Sequence, residues 1–217
     1  MRSRDLGNSF VPLTDAAQER HNLPGWLSRA SLLKRAMAGC GALAGGAVGA
    51  TQLAASPVAR RSAATDHAIL RYALVIERLQ AAFYAQALRT AHLTGETHQF
   101  AKVVGQEEQA HVKFLEAALG SAAGKSPGFR FGDAVTDPAK FLTAAISLEE
   151  TGLGVYNGQA VNLTPETLAD AARIVSVEAR HAAWARALAG ELPAPVPVDR
   201  PVSVSRAKQT FGRFISA

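Results

Sequence analysis

The 217-residue sequence predicts an all-α protein, a four-helix bundle in which one long crossover connection joins two similar helical hairpins. Between residues 66 and 190, apolar side chains recur every three or four positions in four separate stretches, a pattern typical of amphipathic helices. Proline occurs in that region only at positions 127, 138 and 165, which fall between the stretches. A set of Glu, Tyr and Glu-x-x-His also occurs twice with nearly the same spacing.

The first predicted hairpin extends from Asp66 to Gly120, with a short polar break at residues 94–97. The polar residues on its two apolar stripes are Glu77, Tyr84, Glu108 and His111. Glu107 lies off the stripe. Residues 120–137 contain Gly, Ser and Pro, and they are predicted to form the loop that connects the hairpins.

The second hairpin has two clear helix starts. Asp137-Pro138 supplies an N-cap Asp and a Pro at the first helical position, and Thr164-Pro165 begins the fourth helix in the same way. The polar residues on its stripes are Glu149, Tyr156, Glu178 and His181. Glu150 is turned about 100° away from Glu149, which makes Glu149 the inward carboxylate.

The two hairpins repeat one another. Glu77 precedes Tyr84 by 7 residues, as Glu149 precedes Tyr156, and the step from Glu77 to Glu108 is 31 residues against 29 for the matching step in the second hairpin. Such a repeat predicts two hairpins related by a pseudo-twofold axis.

The formal charge of +5 belongs to the N-terminal segment. Residues 1–61 hold 8 Lys and Arg against 3 Asp and Glu, whereas residues 62–217 hold 15 of each sign. No basic stripe with interleaved aromatics remains, so nucleic acid is not an expected partner. Cys40 is the only cysteine, which excludes an intramolecular disulfide or a thiolate metal site.

Residues 1–59 are predicted to be a disordered segment followed by an export signal, which places the protein in the periplasm, the cell envelope or outside the cell. A basic patch at 28–35, an Ala/Gly-rich apolar run and small residues at 54–59 are its three parts. The patch resembles a twin-arginine signal but carries Ala30 in place of the second Arg. An uncleaved membrane anchor and a lipoprotein box at Cys40 are the alternatives.

Residues 60–190 are predicted to form the bundle, and 191–217 a Pro-rich tail. The prolines at 193–201 exclude continuation of the fourth helix. The tail is expected to lack a short fifth helix of the kind found in cage-forming proteins, while its amphipathic end, 207–215, is expected to dock on the bundle.

Four carboxylates on the inner faces of a bundle cannot remain as bare anions, because desolvation and mutual repulsion both oppose it. No Lys or Arg lies on the same stripes to pair with them. Two divalent cations would balance four carboxylates, and two imidazoles would complete a ligand set of nitrogen and oxygen. The predicted metal ligands are Glu77, Glu108, His111, Glu149, Glu178 and His181. The alternative is a former metal site that now holds protonated carboxyls.

The four stretches that carry these residues resemble the ferritin-like superfamily, in particular its exported, desiccation-related branch. They are residues 76–84, 108–115, 148–156 and 177–184. The resemblance extends over about 65–190 and implies a di-iron or di-manganese centre. Relatives commonly carry a second Glu where this chain has Gln80.

Two functions follow as hypotheses. In the first, two iron (or manganese) ions react with O2 or peroxide, so that the protein oxidises Fe(II) and limits oxidative damage as a ferroxidase or peroxide-consuming oxidoreductase. Tyr84 and Tyr156 are then hydrogen-bond donors to ligands or redox partners. In the second, the protein is a non-enzymatic stress or desiccation protein with a structural or vestigial metal site. Iron storage in a cage is less favoured, and a homodimer is left open.

Overall fold

The computed structural model describes residues 61–216, which form a bundle of long helices. The helices are α1 (Ala63–Thr90), α2 (Gly95–Leu119), α3 (Pro138–Gln159), α4 (Pro165–Leu188) and a shorter α5 (Val204–Gly212). The all-α prediction is thereby confirmed. The predicted export signal lies outside the described residues. No helix within 61–216 combines the length and the apolar character that crossing a bilayer requires.

The helices pair as the sequence predicts, α1 with α2 and α3 with α4. Two apolar clusters fill the bundle on either side of its middle. The first contains Phe83, Phe100 and Phe141, and the second contains Leu74, Leu115 and Ile174. Because α2 ends at Leu119 in the second cluster and α3 begins beside the first, the connection between them runs the length of the bundle.

Side-chain caps fix where the helices begin. Asp137 caps α3 by accepting bonds from the amides of Ala139 and Lys140 at 2.9 and 3.1 Å. Thr164 behaves differently from the prediction, since its side chain does not cap α4. Instead its amide and hydroxyl both donate to the buried Asp66 of α1, which ties the start of α4 to the other hairpin.

The crossover connection contains more structure than the predicted loop. It includes 3-10 turns at Gly120–Ala123 and Gly132–Val135, with the short strand β1 (Gly128–Phe129) between them. This strand pairs antiparallel with β2 (Ile215–Ser216) near the end of the chain. The connection is thus held against the bundle by the C-terminal segment.

The C-terminal segment packs along α3 and then forms α5. The Val202 amide donates to the Gly154 carbonyl at 2.7 Å, and a Cβ on Gly154 would lie 2.9 Å from Val202 Cβ, so the close approach requires glycine. Ser203 caps α5, whose Phe211 is buried against the bundle. The tail therefore contains a fifth helix that the prolines did not exclude, because α5 begins after the last of them. Docking of the amphipathic end is confirmed.

Candidate metal centre

Each of the four long helices places one carboxylate at the centre of the bundle. These are Glu77 on α1, Glu108 on α2, Glu149 on α3 and Glu178 on α4, and none of them has any exposed surface. His111 and His181 follow one helical turn after the glutamates of α2 and α4, with 8 and 2% of their surface exposed. Their positions follow from the apolar stripes, because a residue centred on a stripe must face the interior.

The six side chains converge into two overlapping groups. Glu77, Glu108, His111 and Glu178 bring one ligand atom each within 4.8 Å of one another. Glu108, Glu149, Glu178 and His181 do the same. The carboxylates of α2 and α4 belong to both groups, so each lies between the two halves of the cluster.

The half that contains His111 draws on three helices. His111 Nδ1 lies 3.3 Å from Glu77 Oε2, 3.3 Å from Glu108 Oε2 and 3.2 Å from Glu178 Oε1. A single imidazole nitrogen thus faces three carboxylates. A proton on this nitrogen can be shared with only one carboxylate at a time, so the other two carboxylates need another partner.

The half that contains His181 is similar but has an additional partner. His181 Nδ1 lies 3.0 Å from Glu108 Oε1 and 3.4 Å from Glu149 Oε2, while its Nε2 lies 2.6 Å from Glu107 Oε2. Glu107 was not among the predicted site residues, and its side chain is 47% exposed. The residue at the matching position before Glu178 is Val177, so the two halves are not equivalent.

Two tyrosines join the hairpins across the pseudo-twofold axis. Tyr84 of α1 donates to Glu149 Oε1 of α3, and Tyr156 of α3 donates to Glu77 Oε1 of α1, both at 2.6 Å. Burial and the neighbouring carboxylates raise the pKa of both phenols well above the usual value, which keeps them protonated as donors. Each hydrogen bond orients one carboxylate and leaves its other oxygen facing the cluster.

Protons compensate the negative charge when metal is absent. Burial raises the pKa of Glu108 well above its usual value, and the carboxylates of Glu178 and Glu77 add to the effect. Burial and Glu77 likewise raise the pKa of Glu178 to about 8. Burial opposes protonation of His111, but the adjacent carboxylates of Glu108 and Glu178 outweigh it and raise the pKa to about 12. Burial likewise opposes protonation of His181, but the adjacent carboxylates of Glu108 and Glu149 outweigh it and raise the pKa to about 11.

Several atoms of the cluster that could bind a metal form no hydrogen bond of suitable geometry. Within residues 61–216, the buried atoms of the predicted ligands that form no hydrogen bond of suitable geometry are Glu108 Oε1, Glu149 Oε2, both Glu178 oxygens and His181 Nδ1, although a histidine nitrogen lies 3.0 Å from Glu108 Oε1 and another 3.2 Å from Glu178 Oε1. Buried polar atoms without a partner are uncommon in folded proteins. Their convergence fits a divalent metal ion, which would accept electron pairs from all of them.

Other polar residues near the stripes lie outside the cluster. Glu150 forms an ion pair with Arg186 at the surface, as its rotation away from Glu149 predicts. Glu107 could not be found by the same stripe argument, because a side chain off the inner face reaches His181 only when α2 and α4 pack in the observed way. Its only sequence signal is its position next to Glu108.

The fold and the cluster together define a class of protein, helical bundles with a carboxylate and histidine cluster in the core that could hold metal. A family model described as ferritin-like domain matches residues 65–191. Since the match covers more than half of the chain, the protein belongs to the ferritin-like domain family. No curated protein matches the chain.

Proposed function

We propose that the cluster holds two divalent iron or manganese ions, with Glu77 and His111 serving one ion and Glu149 and His181 the other. The observation that carries the proposal is that the two four-residue groups share the carboxylates of α2 and α4. A carboxylate common to both groups would be able to offer one oxygen to each ion. The remaining residues of each group then complete one half.

The donor types favour iron or manganese. All candidate atoms are carboxylate oxygens or imidazole nitrogens, a set that suits these metals, while a structural zinc site more often uses thiolates and four closed positions. Two divalent ions would also balance the four buried carboxylates. The charge is then compensated without the protons that the metal-free cluster requires.

We further propose that the protein oxidises Fe(II) with O2 or peroxide and so limits oxidative damage. Bound iron would supply the one-electron redox chemistry. The chain's own contribution is to exclude water by burying the carboxylates and to hold them in place. Tyr84 and Tyr156 fix the outer oxygens of Glu149 and Glu77, so that the other oxygens point inward.

The proposed location is the cell envelope, and the proposed branch is the exported, desiccation-related one. The location rests on the sequence pattern at 28–59, which lies outside the described residues. The branch rests on the resemblance of residues 76–84, 108–115, 148–156 and 177–184. Cell fractionation of the full chain and of a variant lacking residues 1–59 tests the location. An unchanged distribution between the two proteins would contradict it.

A second candidate function is a non-enzymatic stress protein, in which any metal only stabilises the bundle. The observation in its favour is that protons alone can compensate the buried charge, since the pKa values of Glu108, Glu178 and both histidines are raised. A folded metal-free protein is therefore feasible. This function predicts no turnover of Fe(II).

Metal analysis of protein purified without added metal, followed by Fe(II) oxidation under air, separates the two functions. We expect about two ions per chain and oxidation faster than in buffer. Glu149→Gln should lose at least one ion, whereas the matched control Glu150→Gln, altered at the adjacent surface carboxylate, should resemble the wild type. Bound metal without Fe(II) oxidation would favour the second function, and absence of metal from the wild type would refute the proposed centre.

A further inference from the structure

One buried amide beside the cluster has no partner. Gln80 lies on α1 one turn after Glu77 and has no exposed surface. Neither its Oε1 nor its Nε2 has a hydrogen-bond partner in the part of the chain that the structure describes. A fully buried amide with both polar atoms unsatisfied is unfavourable for folding, so its presence needs an explanation.

The Gln80 amide lies against α3 at Gly152, where the absence of a side chain leaves space. Gly152 follows Glu149 by three residues, as Gln80 follows Glu77, so the two positions correspond in the repeat. The point where a Cβ of residue 152 would lie is 3.4 Å from Gln80 Oε1, 3.5 Å from Gln80 Nε2 and 3.3 Å from Glu178 Oε2. The unsatisfied amide and an unsatisfied carboxylate oxygen of the cluster therefore line the same small space.

We propose that Gln80 binds a small ligand, such as hydroxide or another small anion, whose oxygen or nitrogen atom completes the metal centre. This inference rests on the proposed function. If four residues serve each ion, iron or manganese, which accept up to about six donors, would keep positions for a small ligand. The amide offers an N–H donor for an anion and a carbonyl acceptor for a hydroxide or water. A bound ligand would thus satisfy the atoms of Gln80 that the protein leaves free.

Only one of the two related positions carries this amide, because Gly152 has no side chain. The ligand is therefore held from the α1 side, beside the edge of the cluster that Glu178 forms. The proposed ligand site is therefore asymmetric, whereas the six cluster residues follow the pseudo-twofold repeat.

Azide titration of the iron-loaded full chain tests the assignment. Azide is a small anion that binds open positions on ferric iron and is followed by its absorption band. We expect Gln80→Leu to keep the wild-type metal content and to bind azide about 10-fold more weakly, the size of effect that loss of one hydrogen bond to a charged ligand gives. The control Gln109→Leu makes the same change on the exposed face of α2 and should leave the affinity unchanged.

Thermal unfolding of the metal-free proteins provides an independent readout. Gln80→Leu should melt at a higher temperature than the wild type, because it removes a buried amide without a partner. A lower melting temperature would show that Gln80 has a structural partner and would overturn the proposal. Gln80→Glu keeps the side-chain shape and removes the amide donor, so it should also weaken azide binding.

The outcomes separate this inference from the proposed function. A wild type that binds no metal refutes both. Normal metal content with unchanged azide affinity in Gln80→Leu refutes only the role of Gln80. Loss of metal from Gln80→Leu would make Gln80 a metal ligand, which also overturns the proposal as stated.

Discussion

At the scale of single residues, the cluster is distinguished by how its charges are compensated. Four glutamates are completely buried, and their ion-pair partners within residues 61–216 are the two histidines. Each histidine meets several carboxylates, so protons are shared throughout the cluster. Divalent metal can replace those protons, which links metal affinity to the residues that orient each ligand.

Glu107 is the clearest of these orienting residues. Its contact with His181 Nε2 directs Nδ1 toward the cluster and stabilises that orientation of the ring. We expect Glu107→Gln to weaken one of two Mn²⁺ binding steps by about 10-fold or more and to leave the other unchanged. Calorimetric titration with Mn²⁺ measures both steps.

The control for that substitution is Glu116→Gln, because Glu116 lies on the same helix and pairs with Arg78 away from the cluster. It should bind Mn²⁺ like the wild type. Equal weakening of both steps in Glu107→Gln would mean that the carboxylate acts through overall charge and not through His181.

The sequence predicts the six cluster residues because each is the polar member of an apolar stripe and the set occurs twice. Glu107 and Gln80 could not be assigned in this way. Glu107 acts across an interhelical contact, and the importance of Gln80 depends on which atoms remain unsatisfied after packing. Both properties depend on how the helices pack against one another, which a single-helix pattern does not specify.

At the scale of helices and strands, the C-terminal segment packs closely against α3. Val202 packs against the Gly154 backbone so closely that no side chain fits there. We expect Gly154→Ala to lower the free energy of unfolding by about 1–3 kcal/mol through overpacking, although alanine favours helix over glycine. Chemical denaturation measures the change.

Two further variants test whether overpacking causes the loss of stability in Gly154→Ala. Nothing lies within 4 Å of a Cβ on Gly212, so Gly212→Ala should be neutral or slightly stabilising. Adding Val202→Ala removes Val202 Cγ2, the atom nearest that position, so it should restore part of the stability lost in Gly154→Ala even though Val202 Cβ stays close. Additive losses in the double variant would contradict the clash.

The pairing of β1 with β2 could not be predicted from the sequence. Two-residue strands carry no usable alternation, and their pairing depends on where the crossover and the chain end meet in space. The four long helices are predictable because each presents about six turns or more of consistent periodicity and a recognisable start. For α5 the sequence predicts the amphipathic end at 207–215 but not the helix start at Val204, because the prolines at 193–201 indicate only that the fourth helix ends.

At the scale of the whole molecule, pH should affect the metal-free and metal-loaded proteins in opposite directions. The folded-state pKa values of His111 and His181 lie above the ordinary 6.5, and that of Glu178 lies above 4.5. The folded state therefore holds more protons than the unfolded chain, and metal-free stability should fall as pH rises from 6.5 to 8. Metal competes with these protons, so its stabilising effect should grow over the same interval.

Melting temperatures in chelator and in Mn²⁺ at pH 6.5 and 8 test this divergence. The difference between the two samples should be larger at pH 8. A metal-free protein that becomes more stable between these pH values would contradict the proton-sharing account of the cluster.

Removal of residues 1–59 tests the proposed division of the chain. Within residues 61–216, the contacts of the bundle begin with the Arg61 side chain, which donates to the Val161 carbonyl at 3.0 Å. We expect a chain that starts at Arg60 to be helical by circular dichroism and to melt cooperatively. Loss of cooperative melting would show that the fold needs the first segment.

The coupling of metal to stability tests the central claim most directly, through melting temperatures of metal-loaded and chelator-treated protein for the wild type and Glu108→Ala. At a free metal concentration about 100-fold above Kd, one site adds about 2.7 kcal/mol, so metal should raise the wild-type Tm by about 5 °C or more. Glu108→Ala removes a shared carboxylate, so its gain from metal should largely disappear. Its metal-free form should lose less, because burial and the neighbouring carboxylates already disfavour the charged form of Glu108, as its raised pKa indicates. Equal wild-type melting temperatures with and without metal would contradict the existence of the centre.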